Sequence, residues 1–293
     1  MRFDSYHPVI NLIYFVSMFV FTIYFKQPVF LAISFLSSFI YSVKLNGKRA
    51  LIFNIILIPF IGAYSLWYSY YNHFGVTNLR RNFIGNQITL ESLVYGIVIG
   101  IIIATVIMWF SCVHAVVSSD KIIYLFGRIS PKLSLFFSII LRTVPRIKAR
   151  AKKINIAQKA IGRGANQGNL LSRICNSIRI LSMIITWTLE NFVESSDSMR
   201  SRGYTLKGRT AFSIYRFDNR DRAFVITVFW CMTVILMGIL FDQTNVMYNP
   251  EIIMNPITPM SFIFYFVYGF YCLLPMILQI VGEIKFELLR SKA

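Results

Sequence analysis

"LVYGIVIGIIIATVIMWFSCVHAVV", residues Leu93 to Val117, runs for 25 positions without a lysine, arginine, aspartate or glutamate. An α-helix needs roughly 20 apolar residues to cross the hydrocarbon of a bilayer, so this segment alone is long enough to span. The rest of the chain carries the same signature: of 293 residues, 56% are hydrophobic and only 14% charged, which is too apolar for a soluble domain of this size. Further apolar runs at Val9–Tyr24, Val29–Val43, Leu51–Tyr71, Ala223–Phe241 and Phe262–Val281 bring the expected spans to six. The first two are slightly short, and a single re-entrant hairpin turning at Lys26 and Pro28 is the competing reading. The sequence thus predicts an all-α, polytopic integral membrane protein with about six transmembrane helices. It divides into N-terminal spans in 1–117, a polar region in 118–222 and C-terminal spans in 223–293.

Charge sets the expected orientation. Of the 30 lysines and arginines, 20 lie between Lys121 and Arg222, an interval with only five acids, Glu190, Glu194, Asp197, Asp218 and Asp221. The positive-inside rule makes that interval cytoplasmic. Tracing back, the loop Lys44–Arg49 is cytoplasmic, Asn72–Thr89 is outside despite Arg80 and Arg81, and both termini face the cytoplasm of a cell membrane. Met1–His7 holds Arg2 and Asp4, and no small-residue cleavage site follows the first apolar run, so no signal peptide is expected. The excess of cations suits anionic lipid headgroups. It would also suit nucleic acid, but no nucleic-acid module surrounds the charges and the aromatic residues do not alternate with them, so no nucleic-acid partner is expected.

Most catalytic chemistry has no foothold. Cys112, Cys175, Cys231 and Cys272 are scattered among apolar residues, without a C-x-x-C pair, and read as small core residues without a metal or disulfide role. His7, His73 and His114 are isolated. "GRGANQG" lacks the lysine and the Ser/Thr of a phosphate-binding loop, and "LKGRT" lacks its glycine-rich lead, so ATP hydrolysis within this chain is not expected, nor any cofactor. A stand-alone secondary transporter would place ionisable residues inside the spans, where almost none occur; Asp242 and Glu283 lie at span ends. A membrane-integral enzyme acting on lipids would need a catalytic constellation that is not visible. Gly96 and Gly100 form a G-x-x-x-G pattern, a helix-contact signal that serves internal packing, the preferred reading, or an interface to another subunit.

The basic interval has its own order. Ser119 or Asp120 caps a short helix ending near Gly127, and Pro131 starts another, whose apolar run "LSLFFSIILRTVP" is placed at the cytoplasmic interface. From Pro145 a basic helix emerges, with Arg142, Arg146, Arg150 and Lys153 on one face, until Gly162, Gly164 and Gly168 end it. A second helix runs from about Asn169 to Arg202. Its apolar stripe is Leu171, Ile174, Ile178, Leu181, Ile185, Leu189 and Phe192, and around Ile180–Trp187 apolar residues wrap nearly all round. Arg163 and Arg202 each close a helix and each precede a glycine, Gly164 and Gly203. Small neighbours admit another surface close to the backbone, and a guanidinium forks onto carboxylates or carbonyls.

Three stretches carry a family resemblance: "LRTVP" (Leu141–Pro145), "AQKAIGRGA" (Ala157–Ala165) and "SMRSRGYTLKGR" (Ser198–Arg209), with "YHPVINLIYF" near the start. They resemble the Arg-x-x-Pro segment and the two Ala-Arg-Gly-type motifs of the transmembrane T component of energy-coupling factor transporters, a branch of the ABC importers for vitamins and metal ions. The resemblance implies long cytoplasmic coupling helices whose ends dock on two ABC ATPase subunits through Gly162, Arg163, Gly164, Ser201, Arg202 and Gly203. It also implies an apolar surface holding a membrane-embedded, substrate-binding S component, which the wrapped apolar region assigns to Ile180, Met183, Ile184 and Trp187. Two departures stand out: "Ile-Gly" interrupts the first motif between "AQKA" and "RG", and Ser201 replaces the usual alanine of the second.

Overall fold

A computed structural model describes residues 3–81, 87–204, 206 and 215–291. Its helices are α1 (Pro8–Tyr24), α2 (Pro28–Asn46), α3 (Lys48–Tyr71), α4 (Leu90–Val116), α5 (Ser119–Ile129), α6 (Pro131–Ala160), α7 (Leu170–Ser201), α8 (Asn219–Leu240) and α9 (Pro259–Arg290). Two short antiparallel pairs interrupt them: β1 (Asn78–Arg81) with β2 (Gln87–Thr89), and β3 (Val246–Met247) with β4 (Ile253–Met254). Prolines open α1, α2, α6 and α9, the position where a missing N–H costs nothing. Pro145 does not break its helix: α6 passes through it, so the interfacial run and the basic run are one 30-residue element. Losing one backbone hydrogen bond there is offset by the tertiary contacts along the rest of α6.

The chain is a multi-pass membrane protein. Among the described residues, α2, α3, α4, α7, α8 and α9 are long and apolar enough to cross a bilayer, judged by length and composition. This set differs from the expected one in two members. At 17 residues α1 falls short, bounded by Pro8 and by the extended Phe25, though its ~26 Å approaches the hydrocarbon thickness. The 32-residue α7 qualifies through its apolar middle, although it is the least apolar of the six.

Two compact units form: Met1–Ser118 with Tyr215–Ala293, and Ser119–Ile214. The first has an aromatic core. Tyr14, Phe25, Phe30, Tyr41, Trp109, Tyr268 and Tyr271 are all essentially buried there, drawn from α1, α2, α4 and α9 and the α1–α2 link. Several polar atoms of this core are satisfied inside the bundle, whereas Tyr41 Oη and Tyr268 Oη meet no hydrogen-bond partner among the described residues. Tyr14 Oη donates to the carbonyl oxygens of Tyr271 and Cys272 at 3.1 and 3.2 Å, and Trp109 Nε1 donates to Ser34 Oγ at 3.4 Å. Gln27 Nε2 donates to Tyr265 Oη at 2.7 Å. At one end of the bundle Lys44 pairs with Glu283 at 2.8 Å, joining α2 to α9. Cys112, Cys231 and Cys272 are buried as expected, whereas Cys175, in the other unit, is exposed because its side of α7 is left uncovered.

The tightest seam lies between α3 and α4. A Cβ at Gly96 would stand 2.9 Å from Ser65 Cα, and one at Gly100 would stand 3.2 Å from Ile61 Cγ2. Ser65 Oγ donates to the Leu93 carbonyl and Ser69 Oγ meets Ser92 Oγ, each at 2.8 Å. The G-x-x-x-G pattern therefore serves internal packing, as expected from the sequence. Gly96→Ala forces two backbones apart and should cost about 1–3 kcal/mol, the range for overpacked cores. Gly62→Ala, with nothing within 4 Å of the added carbon, should be neutral or stabilising. Thermal unfolding of the detergent-purified chain reads the difference; equal midpoints for the two variants would contradict the close seam.

Candidate functional site

In the second unit α6 and α7 form a hairpin. Ile147, Ala151, Ile154, Asn155 and Gln158 are the half-buried positions on the C-terminal half of α6, and their spacing of four, three, one and three puts them on one helix face. On α7 the corresponding face holds Ile180, Met183, Ile184 and Trp187, at intervals of three, one and three, with Ile180 only 7% exposed. Gln158 Nε2 reaches Met183 Sδ at 3.8 Å, and the Arg150 guanidinium lies 5.2 Å from the centroid of the Trp187 ring. The apolar region on α7 is therefore not open all round: these four residues occupy its covered side. Arg150, expected on a lipid-facing basic face, is engaged with Trp187. At the other end of α6, Phe126 of α5 stacks on Phe137 at 4.6 Å between centroids.

The opposite side of α7 is bare. Leu171, Ile174, Ile178, Leu181, Ile185, Leu189 and Phe192 follow one another at three or four residues, and each is between 44% and 80% exposed. Such a stripe exceeds what a soluble surface leaves uncovered, so it marks contact with lipid or another protein.

Each helix ends in the same way. At the end of α7 the Gly203 N–H donates to the Arg200 carbonyl and the Tyr204 N–H to the Met199 carbonyl, both at 3.1 Å. At the end of α6 the Gly162 N–H donates to the Lys159 carbonyl at 3.1 Å and the Arg163 N–H to the Gln158 carbonyl at 2.9 Å. This nested pair of bonds needs a left-handed residue just past the helix, supplied by Gly203 at φ 76° and Gly162 at φ 74°. Gly164 has another job. It is buried, a Cβ there would strike Lys159 Cγ at 2.3 Å, and its N–H is held by Gln167 Oε1 at 2.9 Å. Asn155 Oδ1 accepts from the Ala165 N–H at 3.2 Å and Asn176 Nδ2 donates to the Gly164 carbonyl at 3.4 Å, which ties the loop to both helices.

Arg163, Ser201 and Arg202 are all exposed, as is Gly162. Asn176 fixes the first tip beside α7, and Arg202 lies 26 residues further along that helix, so about 39 Å separates the two along the axis. The tail of the second motif, Thr205 and Lys207–Arg209, lies outside the described residues. Asn155, Gln167 and Asn176 escaped the sequence reading; a glycine-rich turn flanked by amides is their only signal. Among the described residues no group of three or more His, Cys, Asp or Glu side chains is placed to hold a metal ion.

Fold and hairpin together define the class, a multi-pass helical membrane protein with a long amphipathic hairpin. The chain belongs to the CbiQ family, described as cobalt transport protein, which its residues 4–212 match. Two transmembrane proteins of energy-coupling factor transporters, both named EcfT, are each 33% identical to it. The one from Lactococcus lactis aligns over 107 residues, 36% of this chain and 40% of its own length, and the one from Lactobacillus helveticus over 91 residues, 31% and 33%. The alignments thus span less than half of each relative. Family and relatives together bear out the resemblance to the T component of energy-coupling factor transporters.

The seam itself is testable. Arg150→Met and Trp187→Leu should each loosen the hairpin, and a double-mutant cycle on thermal unfolding should give a coupling of about 0.5–1 kcal/mol, the range of a partly exposed cation–π pair. Strict additivity would mean that the ring and the guanidinium do not interact.

Proposed function

We propose that this chain is the energy-coupling subunit of an ABC-type importer, in which the α6–α7 hairpin carries motion from two ATPase subunits to a membrane-embedded S component that binds a vitamin or a metal ion. The observation that carries this reading is the pair of identically capped helix ends, each bearing exposed residues of a resembling motif and held about 39 Å apart along α7. One partner subunit docks at the end of α6, around the capping Gly162, and the other at Ser201–Gly203. Hydrolysis belongs to those partners, since the motif "GRGANQG" lacks the residues that hold phosphate and magnesium.

The bare stripe from Leu171 to Phe192 is the natural seat for the S component. Ile180, Met183, Ile184 and Trp187 are the layer beneath it, where pressure on the stripe passes to α6. In this reading α7 lies along the cytoplasmic interface instead of crossing: Arg173, Arg179, Glu190, Glu194 and Asp197 along its length would be costly in hydrocarbon. The short α1 then crosses, with Pro8 and Lys26 near the two surfaces. Six crossings leave both termini and the 118–222 region in the cytoplasm, with the lysines and arginines of α6 close to anionic headgroups.

Arg202→Glu replaces a forked donor with a like charge against an acidic partner group, and should weaken docking about a hundredfold or more. The measurement is binding of the purified ATPase pair to the chain in mild detergent, and unchanged affinity would sink the docking role. Leu181→Glu together with Ile185→Glu should release the S component while the ATPases stay bound; retention of the S component would move its seat elsewhere. Orientation is read by single cysteines in a cysteine-free background. Val76→Cys should react with an impermeant thiol reagent on intact cells and Gly168→Cys should not, whereas the reverse would overturn the topology.

A further inference from the structure

The cap hydrogen bonds set a register between the two helix tips that the written motifs conceal. On α7 the last residue before the left-handed glycine is Arg202, at φ −83° and ψ 6°; on α6 it is Ile161, at φ −93° and ψ 7°. The glycines that follow, Gly203 and Gly162, differ by only 2° in φ. Superposing the caps therefore matches Ala160-Ile161-Gly162 to Ser201-Arg202-Gly203, so Ile161 leaves its helix in the direction that Arg202 leaves the other. Arg163 stands two residues later, beyond the left-handed turn, with its N–H spent on the Gln158 carbonyl. It leads into the loop that buried Gly164 pins against Lys159.

Ile161 is 68% exposed, with the cations Lys159 and Arg163 two residues to either side. An isolated isoleucine on a surface is ordinary. One that occupies the position at which the partner helix presents an arginine is a difference in what that tip can bind. A groove built to receive Arg202 offers acidic or carbonyl acceptors, and over Ile161 those acceptors would be desolvated without a donor, which costs more than leaving them in water.

We propose that Ile161, not Arg163, is the residue of α6 that enters an ATPase groove, and that this groove is apolar where the groove for α7 is acidic. The two tips then require chemically different sites and cannot exchange places. This inference rests on the coupling role proposed above.

The test uses the purified ATPase pair that assembles with the unaltered chain, titrated against variants in an Arg202→Glu background so that docking depends on the α6 tip. Adding Ile161→Asp, or the uncharged Ile161→Asn, should weaken binding by about tenfold or more, whereas adding Arg163→Ala should change it by no more than about twofold. Ile161→Arg should also weaken binding. The helix end is exposed, and an unchanged elution profile checks that each variant is folded. Loss with Arg163→Ala but not with Ile161→Asn, or tighter binding with Ile161→Arg, overturns the assignment of Ile161 and leaves the coupling role standing. If Arg202→Glu alone binds as tightly as the unaltered chain, the coupling role falls and this inference falls with it.

Discussion

A helix can stop only where its last carbonyls find donors, and the second unit depends on how α6 and α7 meet that requirement. Each bends its chain through a left-handed glycine so that two backbone N–H groups turn back onto the final turn. That geometry fixes where the helix ends, which residue stands last on its rim and which direction the chain takes afterwards. The side chains on the rim could be exchanged without moving it. The same caps thus hold unlike residues, Ile161 on one helix and Arg202 on the other, in closely similar backbone settings.

Between the tips the hairpin is held by few but varied contacts. The ring of Trp187 under Arg150, the sulfur of Met183 beside Gln158 and the amides of Asn155 and Asn176 on the loop share one side of α7. The other side is left apolar and open. In the first unit the weight lies inside: an aromatic core closes on itself, and the Tyr14 hydroxyl and the Trp109 indole N–H find partners within the bundle.

Much of this was legible in the residues. Apolar runs located the helices of the first unit, because burial in lipid or core leaves no room for charges in either case. The glycines marked the hairpin turn, and Gly96 with Gly100 marked a close seam. What stayed hidden was phase and register. Periodicity showed an apolar stripe and a broader apolar middle on α7, but not which would be covered, since that depends on where α6 lands; Ile180, Met183, Ile184 and Trp187 turned inward. Likewise "GRG" reads as an arginine between two equivalent glycines, yet Gly162 caps and Gly164 fills a buried corner, roles separated only by their backbone angles and neighbours. Pro145 looked like a boundary because a missing hydrogen bond is visible in sequence and the contacts that outweigh it are not.

The small residues between α3 and α4 have a consequence for how the chain is made. The two helices are consecutive and joined by one short strand pair, so their seam needs no residue beyond Val116. It can close while the remaining chain is still on the ribosome, at little loop-closure cost. Its pieces are glycines and serines, which have almost no rotamers to sort, and its hydrogen bonds run from hydroxyl to neighbouring hydroxyl or carbonyl. The nascent protein therefore gains a preformed helical pair early in synthesis, and α2, which packs on both of its members, carries that wall across to the later α9.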